Sequence, residues 1–284
     1  MAMKAEHGSK CQVVGITVAA HKPKAIECTR RLLGMLAERG VEVRADASVS
    51  KACNGNCQVG GMVHVAASDL VIVMGGDGTL LGVDLGSFGV LAEEEFSDVE
   101  ANLDAILAGK FEIEERLMVR ATVMRGGAEV ISLVGLNDAV IAKMGIRRLA
   151  RLHTSVDGDY IATYPADGLI IGTPTGSTAY VLSAGGPLVD PAVESLIVTA
   201  ICPHTLYTRP LVVHPKAVIE VRVETRNREP VEASLTVDGQ EEIGLLAEDT
   251  IVIDRAPCNA RLVRVSKHSY YERLRRKLKW GAEK

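Results

Sequence analysis

The strongest constraint on the fold is a change of grammar near residue 112. Before it, short apolar runs alternate with segments of helical period. Residues 11–19, CQVVGITVA, read as a buried strand, and residues 24–39 set Ile26, Leu32, Leu33 and Leu36 at helical spacing before Gly40 ends the helix. VEVRA (41–45) and DLVIVMG (69–75) follow as strands, and SDVEANLDAILAGK adds a helix with a Ser97–Glu100 capping box and a glycine stop at Gly109. This succession implies a parallel sheet with helices on its faces. After residue 112, LMVRATVMR, EVISLVGLNDAVIA, AVIEVRVET, VEASLTVDG, TIVIDR and RLVRVS follow one another with turns rather than long helices between them, which reads as antiparallel sheet. The fold class expected is an α/β N-terminal domain with a parallel sheet (1–112), then a mostly antiparallel, β-sandwich-like domain (113–268). A closing helix (269–284) is expected to pack back on the first domain. A chain of 284 residues is long enough for two cores.

Composition narrows the function by exclusion. A net charge of −4 offers no general attraction to nucleic acid or to an anionic membrane. The basic cluster YYERLRRKLKW (270–280) reads as the polar face of a helix. No apolar stretch approaches the roughly 20 residues that a bilayer requires, and MAMKAEHGSK lacks the apolar core of a signal peptide. A cytoplasmic protein is expected. The six cysteines, at 11, 28, 53, 57, 202 and 258, are too sparse for a disulfide scaffold and are expected to be reduced. CNGNC (53–57) has no second Cys/His pair to make a zinc site and reads as a loop carrying two thiols. No metal-ligating set is assigned.

No G-x-G-x-x-G follows a strand, GTPTGST (172–178) lacks the lysine of a Walker A loop, and neither H-E-x-x-H nor G-x-S-x-G occurs. What the chain has instead is Gly75-Gly76-Asp77-Gly78-Thr79 at the end of an apolar run. The carboxyl end of a strand followed by glycines is where open α/β sheets hold phosphates. A carboxylate in that turn can accept a proton from a hydroxyl or help to hold a metal ion, although Asp-Gly is also favoured simply as a turn. Downstream, GLNDAVIA sets Asn137 and Asp138 beside a strand, where an amide and a carboxylate can bind a sugar or a base edge. In ADGLIIGTPTGSTAYVLSAGGPLVDP (166–191) a strand runs into glycines and hydroxyl residues, with a short helix expected near Thr178 and Tyr180 available to stack or cap.

Together GGDGT, NDAVI and DGLIIGTPTGSTAYVLSAGGP resemble the NAD kinase family, in order and approximate spacing, from about Leu70 to Arg264. GGDGT alone is shared with diacylglycerol-type lipid kinases and 6-phosphofructokinases. The TPTGSTAY and SAGGP pair is the more specific mark. The resemblance implies phosphoryl transfer from ATP, or polyphosphate, to the 2′-hydroxyl of the adenosine ribose of NAD. It also implies a divalent metal ion, Mg2+ first, and a homodimer or homotetramer. It makes Asp77 the proton acceptor and puts Gly78 against the dinucleotide. Asn137 and Asp138 become the pair that binds NAD, and Thr178, Ala179, Tyr180, Val181, Leu182 and Ser183 line its adenosine half. Arg148 falls where the family has a basic residue near the site, Asp167 at its acidic partner, and Gln240 in VDGQ at a further contact, although D-G there reads equally as a hairpin turn. The competing readings are a lipid kinase, which three Phe and one Trp do little to support, and a non-catalytic NAD-binding protein.

GVDLGSFGVLAEEEF departs from the family pattern at Asp84, Phe88 and Val90. More important, the family places a helix between GGDGT and that segment. Here only Leu80-Leu81-Gly82 intervene, where a parallel crossover needs about 10 to 12 residues. Either a stretch is missing from the chain as numbered, or a deletion rebuilds the edge of the nucleotide site.

Overall fold

The computed structural model describes residues 10–18, 23–49, 52–53, 57–74, 81–84, 94–145, 150–224, 233–240, 242–247, 249–265 and 268–280. Residues 1–115 and 260–284 form one unit and residues 116–259 another.

The first unit is built on six parallel strands: β1 (Val13–Val18), β2 (Glu42–Ala45), β3 (Gln58–Val59), β4 (Leu70–Met74), β5 (Leu81–Asp84) and β6 (Glu94–Glu95). Their order is β3-β2-β1-β4-β5-β6. Among the described residues α1 (Pro23–Glu38), α2 (Met62–Ala66) and α3 (Phe96–Leu107) accompany them. Leu32, Leu33 and Leu36 of α1 and Val99, Leu103 and Ile106 of α3 share a core with Val14, Ile16, Ile72 and Met74. On the opposite face Val65 of α2 meets Val71 and Val73. Because both faces are covered, β4 is buried at every residue, which is why it reads as an unbroken apolar run. Gly40 (φ 66°) and Gly109 (φ 72°) stop α1 and α3 as expected. In each, a backbone N–H reaches back to the last turn: Val41 N to Leu36 O, 3.1 Å, and Lys110 N to Ala105 O, 2.8 Å.

Two details differ from the expectation. Helix α3 already includes Ser97, so that residue is not the flanking cap its S-x-x-E pattern suggested. Cys53 and Cys57, read as two thiols, are joined in a disulfide, their Cα atoms 6.1 Å apart and within the span such a bond bridges.

The second sheet takes β7 (Glu112–Arg125), β8 (Ala128–Gly135), β10 (Ala150–Val156), β11 (Asp159–Ala166), β15 (Ile219–Val223) and β18 (Asp249–Arg264) in the order β11-β10-β15-β18-β7-β8. The third takes β9 (Asp138–Lys143), β12 (Gly168–Gly172), β13 (Leu196–Ile201), β14 (Leu211–Val213), β16 (Ala233–Val237) and β17 (Glu242–Gly244) in the order β14-β13-β12-β9-β16-β17. Within the second unit these sheets enclose one core. Val119, Ala121, Leu152, Val221 and Ile251 of one meet Ile141, Leu169, Ile171, Val198 and Leu235 of the other. The parallel sheet and the antiparallel sandwich are thus the architecture that the sequence led us to expect.

The closing residues return to the first unit, where Val263 and Val265 join its core. Helix α5 (Tyr270–Leu278) carries the capping box in which Ser269 and Glu272 bond reciprocally. Among the described residues no helix is long and apolar enough to cross a membrane.

Candidate active site

In the first unit the strand order reverses between β1 and β4, and ligands of open parallel sheets sit beyond the carboxyl ends of the strands at such a point. Strand β4 ends at Met74, and Gly75-Gly76-Asp77-Gly78-Thr79 follows at once in the sequence. Asp77 and Gly78 lie outside the described residues, as does Arg148.

The suspected break after Leu80 falls on residues 75–80, which lie outside the described residues. Strand β5 does join the sheet parallel to β4, with Ile72 opposite Leu81 and Met74 opposite Val83. Only residues 75–80 connect them.

In the second unit the antiparallel ladder brings two of the singled-out motifs together. Strands β9 and β12 pair with Asp138 opposite Gly172, so GLND and GTPTGST meet at one end of the third sheet. Thr173 locks them: its N–H donates to Asn137 O at 2.8 Å and its hydroxyl to Leu136 O at 2.6 Å. The same hydroxyl accepts from Gly176 N at 3.1 Å. A Cβ on Gly176 would stand 2.0 Å from Asn137 O, so only glycine lets the loop lie on that backbone.

Beyond this loop, residues Gly176–Thr178 form a 3-10 turn and Tyr180–Ser183 the short helix α4. Ser177 fastens the return, donating to Pro174 O at 2.6 Å and accepting from Val189 N at 3.1 Å. Val181 is fully buried against Val140, Ile170 and Ile197 on the outer face of the third sheet, so its side chain anchors α4 rather than facing solvent. Gly172 and Gly186 make room for it, since a Cβ on either would come within 2.5 Å of a Val181 methyl. Tyr180 and Ser183 are exposed, Ala179 and Leu182 half-buried, and Thr178 buried with its hydroxyl on Thr175 O.

Asn137 and Asp138 are both buried. The Asn137 Oδ1 has no hydrogen-bond partner among the described residues, a buried acceptor left open at the meeting point of the two motifs. Burial first, and the neighbouring Asp238 second, push the Asp138 carboxyl up to about 6.

Two expected site residues stand elsewhere. Asp167 lies at the other end of β12 from Gly172, about five strand rises or roughly 17 Å from the Asn137–Asp138 end. There it pairs with Lys143 Nζ at 2.6 Å. Gln240 closes the β16–β17 hairpin, its N–H on Val237 O at 3.0 Å, with Asp238 and Gly239 both at positive φ, as a two-residue D-G turn requires. Its side chain is exposed.

Sequence reasoning missed three charged residues here: Lys143, Asp238, and Arg116, which is buried and donates to Thr175 Oγ1 at 3.3 Å. The only signal for Arg116 was a cation heading the apolar run LMV, and for Asp238 the D-G pair itself.

The family model for the ATP-NAD kinase C-terminal domain matches residues 136–265, from the Asn137 turn to the end of β18. The NAD kinase of Moorella thermoacetica is 41% identical over 289 aligned residues, which cover 96% of this chain and 91% of that protein. This chain belongs to the NAD kinase family. A second relative, the NAD kinase of Geotalea daltonii, is 39% identical, with 94% of this chain and 98% of that protein covered. Among solved structures, yeast NADH kinase complexed with NADH superposes with a TM-score of 0.87 over 97% of this chain and 89% of that one, at 23% identity. An NAD kinase from Archaeoglobus fulgidus in complex with ATP gives 0.71 over 94% and 98%, at 20% identity. These two establish that the chain has the fold of NAD kinases.

Proposed function

We propose that the chain is an NAD kinase which transfers the γ-phosphoryl group of ATP to the 2′-hydroxyl of the adenosine ribose of NAD, giving NADP and ADP. The observation that carries this reading is the pairing of GLND with GTPTGST around an open buried acceptor, in a chain about 40% identical to NAD kinases over nearly its whole length. Asn137 and Asp138 bind NAD, and the segment Thr178–Ser183 receives its adenosine half.

The ribose oxygen attacks the γ-phosphorus, its proton passes to the Asp77 carboxylate, and ADP leaves. A hydroxyl is a poor nucleophile, and a base within hydrogen-bond reach contributes typically about 10²–10⁴-fold. Positioning supplies the larger share in a loose phosphoryl-transfer transition state, so a Walker lysine is not required. A divalent ion, Mg2+ by preference, would supply charge neutralisation at the transferring phosphate when bound. Among the described residues no three His, Cys, Asp or Glu side chains gather to hold one. The enzyme works in the cytoplasm as a homodimer or homotetramer, which light scattering of the purified protein tests.

The deciding assay supplies NAD, ATP and Mg2+ and measures NADP, with a diacylglycerol acceptor in a parallel arm. NADP formation is expected, and Asp77→Asn should abolish most of it while leaving the circular dichroism unchanged. Wild-type turnover in that variant removes Asp77 as the base. A purified protein that binds NAD but never forms NADP supports the non-catalytic reading.

A further inference from the structure

Asp238 sits at the first central position of the β16–β17 turn with φ 50°, a conformation uncommon for any residue but glycine. Its carboxylate crosses the sheet to the break between β8 and β9. Oδ2 accepts from Leu136 N at 2.7 Å, and Oδ1 accepts from Asn137 N at 2.8 Å and Asp138 N at 3.1 Å. The Asp238 N–H donates in turn to Asp138 O at 3.0 Å. Three successive backbone donors thus converge on one charge, an arrangement that fixes the backbone of the very residues that carry the open amide and the buried acid. Gly135 completes the grip, because a Cβ there would stand 2.4 Å from Val237 Cγ1 and 2.8 Å from Asp238 Oδ1.

We infer that Asp238 is a positioning residue for NAD: it holds Leu136, Asn137 and Asp138 in the one backbone conformation that presents the Asn137 amide and the Asp138 carboxyl to the dinucleotide. This rests on the reading that Asn137 and Asp138 bind NAD. No neutral side chain can replace it, since an amide offers one acceptor oxygen where three donors point at two. A break in this turn carries no sheet ladder of its own, so the clamp substitutes for one.

The informative variant is Asp238→Asn, which keeps the shape and tolerates positive φ but turns an NH2 toward the Leu136 N–H. The expected result is a KM for NAD raised about tenfold or more, the scale of one lost charge-assisted hydrogen bond, with kcat and the KM for ATP changed little. A second readout separates positioning from general loosening. From the elements packed against it, Asp238 is the charged group that acts on Asp138 among the described residues, so removing its charge should shift the Asp138-dependent limb of kcat/KM to lower pH. Gly135→Ala attacks the clamp from the other side and should raise the same KM without that shift. An Asp238→Asn enzyme with unaltered KM for NAD and an unaltered pH profile overturns the inference. The control is Asn137→Ala: if that change leaves the KM for NAD intact, the binding role of the pair fails first, and the clamp is then structural only.

Discussion

Gly176 tests whether the two motifs act as one unit. An alanine there would put its Cβ 2.0 Å from Asn137 O, 2.5 Å from Asn137 C and 2.8 Å from Asn137 Cα, where Cβ atoms do not come closer than about 3.0 Å. The obstacle is backbone, so no rotamer change relieves it. Neither side is free to retreat. Asn137 is held by Thr173 N at 2.8 Å and by Asp238 Oδ1 at 2.8 Å, while Gly176 N is held by Thr173 Oγ1 at 3.1 Å. A shift of an ångström breaks one or two of these bonds at about 1 kcal/mol each, on top of about 1–3 kcal/mol for overpacking. The Gly176→Ala enzyme should therefore lose about 2–5 kcal/mol of a total near 5–15 kcal/mol. Urea denaturation measures the loss, and the KM for NAD should rise with it. Gly34, exposed within α1, is the matched control: an added Cβ meets nothing within 4 Å, and Gly34→Ala should stabilise by about 0.5–1 kcal/mol. A Gly176→Ala protein that denatures at the wild-type urea concentration and binds NAD normally would show that the loop does not rest on the Asn137 turn.

The buried acids give predictions of opposite sign. Asp138, pushed up to about 6, weighs against folding when ionised: this loss is absent below its unfolded value near 3.8 and is complete as pH rises above about 6. Asp138→Asn should thus be more stable than the parent by up to about 3 kcal/mol in urea at pH 8, with little gain at pH 4, while binding NAD less well. Asp249 is the reverse. Hydrogen bonds from Arg125, at 2.7 and 2.9 Å, hold its carboxyl below the usual range, so its contribution is present above the unfolded value and is lost as pH falls through the lower folded one. Acid titration of Asp249→Asn should show a lower plateau at pH 7, by about 1–3 kcal/mol, and a shallower fall below pH 4. Ser269→Ala should cost about 1 kcal/mol in the capping box of α5, read as lower thermal stability of that helix by hydrogen exchange.

Legibility followed the strength of each local signal. β1, β4 and α1 were evident because burial on both faces makes strands uniformly apolar and because Gly40 marks a helix end. The β10–β11 hairpin went unnoticed although Asp157-Gly158, with φ 52° and 87°, is the same two-residue turn as Asp238-Gly239. TIVIDR and RLVRVS read as two strands, with Pro257 between them in the sequence. They are one, β18, and the proline falls beyond Ile253, where pairing with β15 ends. In the site, the motifs Asn137-Asp138 and Thr173–Ser183 stood out through their joint resemblance to NAD kinases, and the ladder of β9 and β12 sets them side by side. Their support did not stand out. Asp238 lies a hundred residues from the backbone it holds, and no periodicity links the two.

That distance shows how a turn motif can hold backbone far from it in the sequence. The D-G pair satisfies a local demand, two positive φ angles in a hairpin, which many sequences meet with Asn-Gly or Gly-Gly. Asn would serve the turn as well as Asp does, yet only Asp brings a second acceptor oxygen for Leu136 N, Asn137 N and Asp138 N. Its charge also adds to the upward push that burial gives the Asp138 carboxyl. Local turn chemistry therefore permits several residues at position 238, and the long-range hydrogen bonds select one.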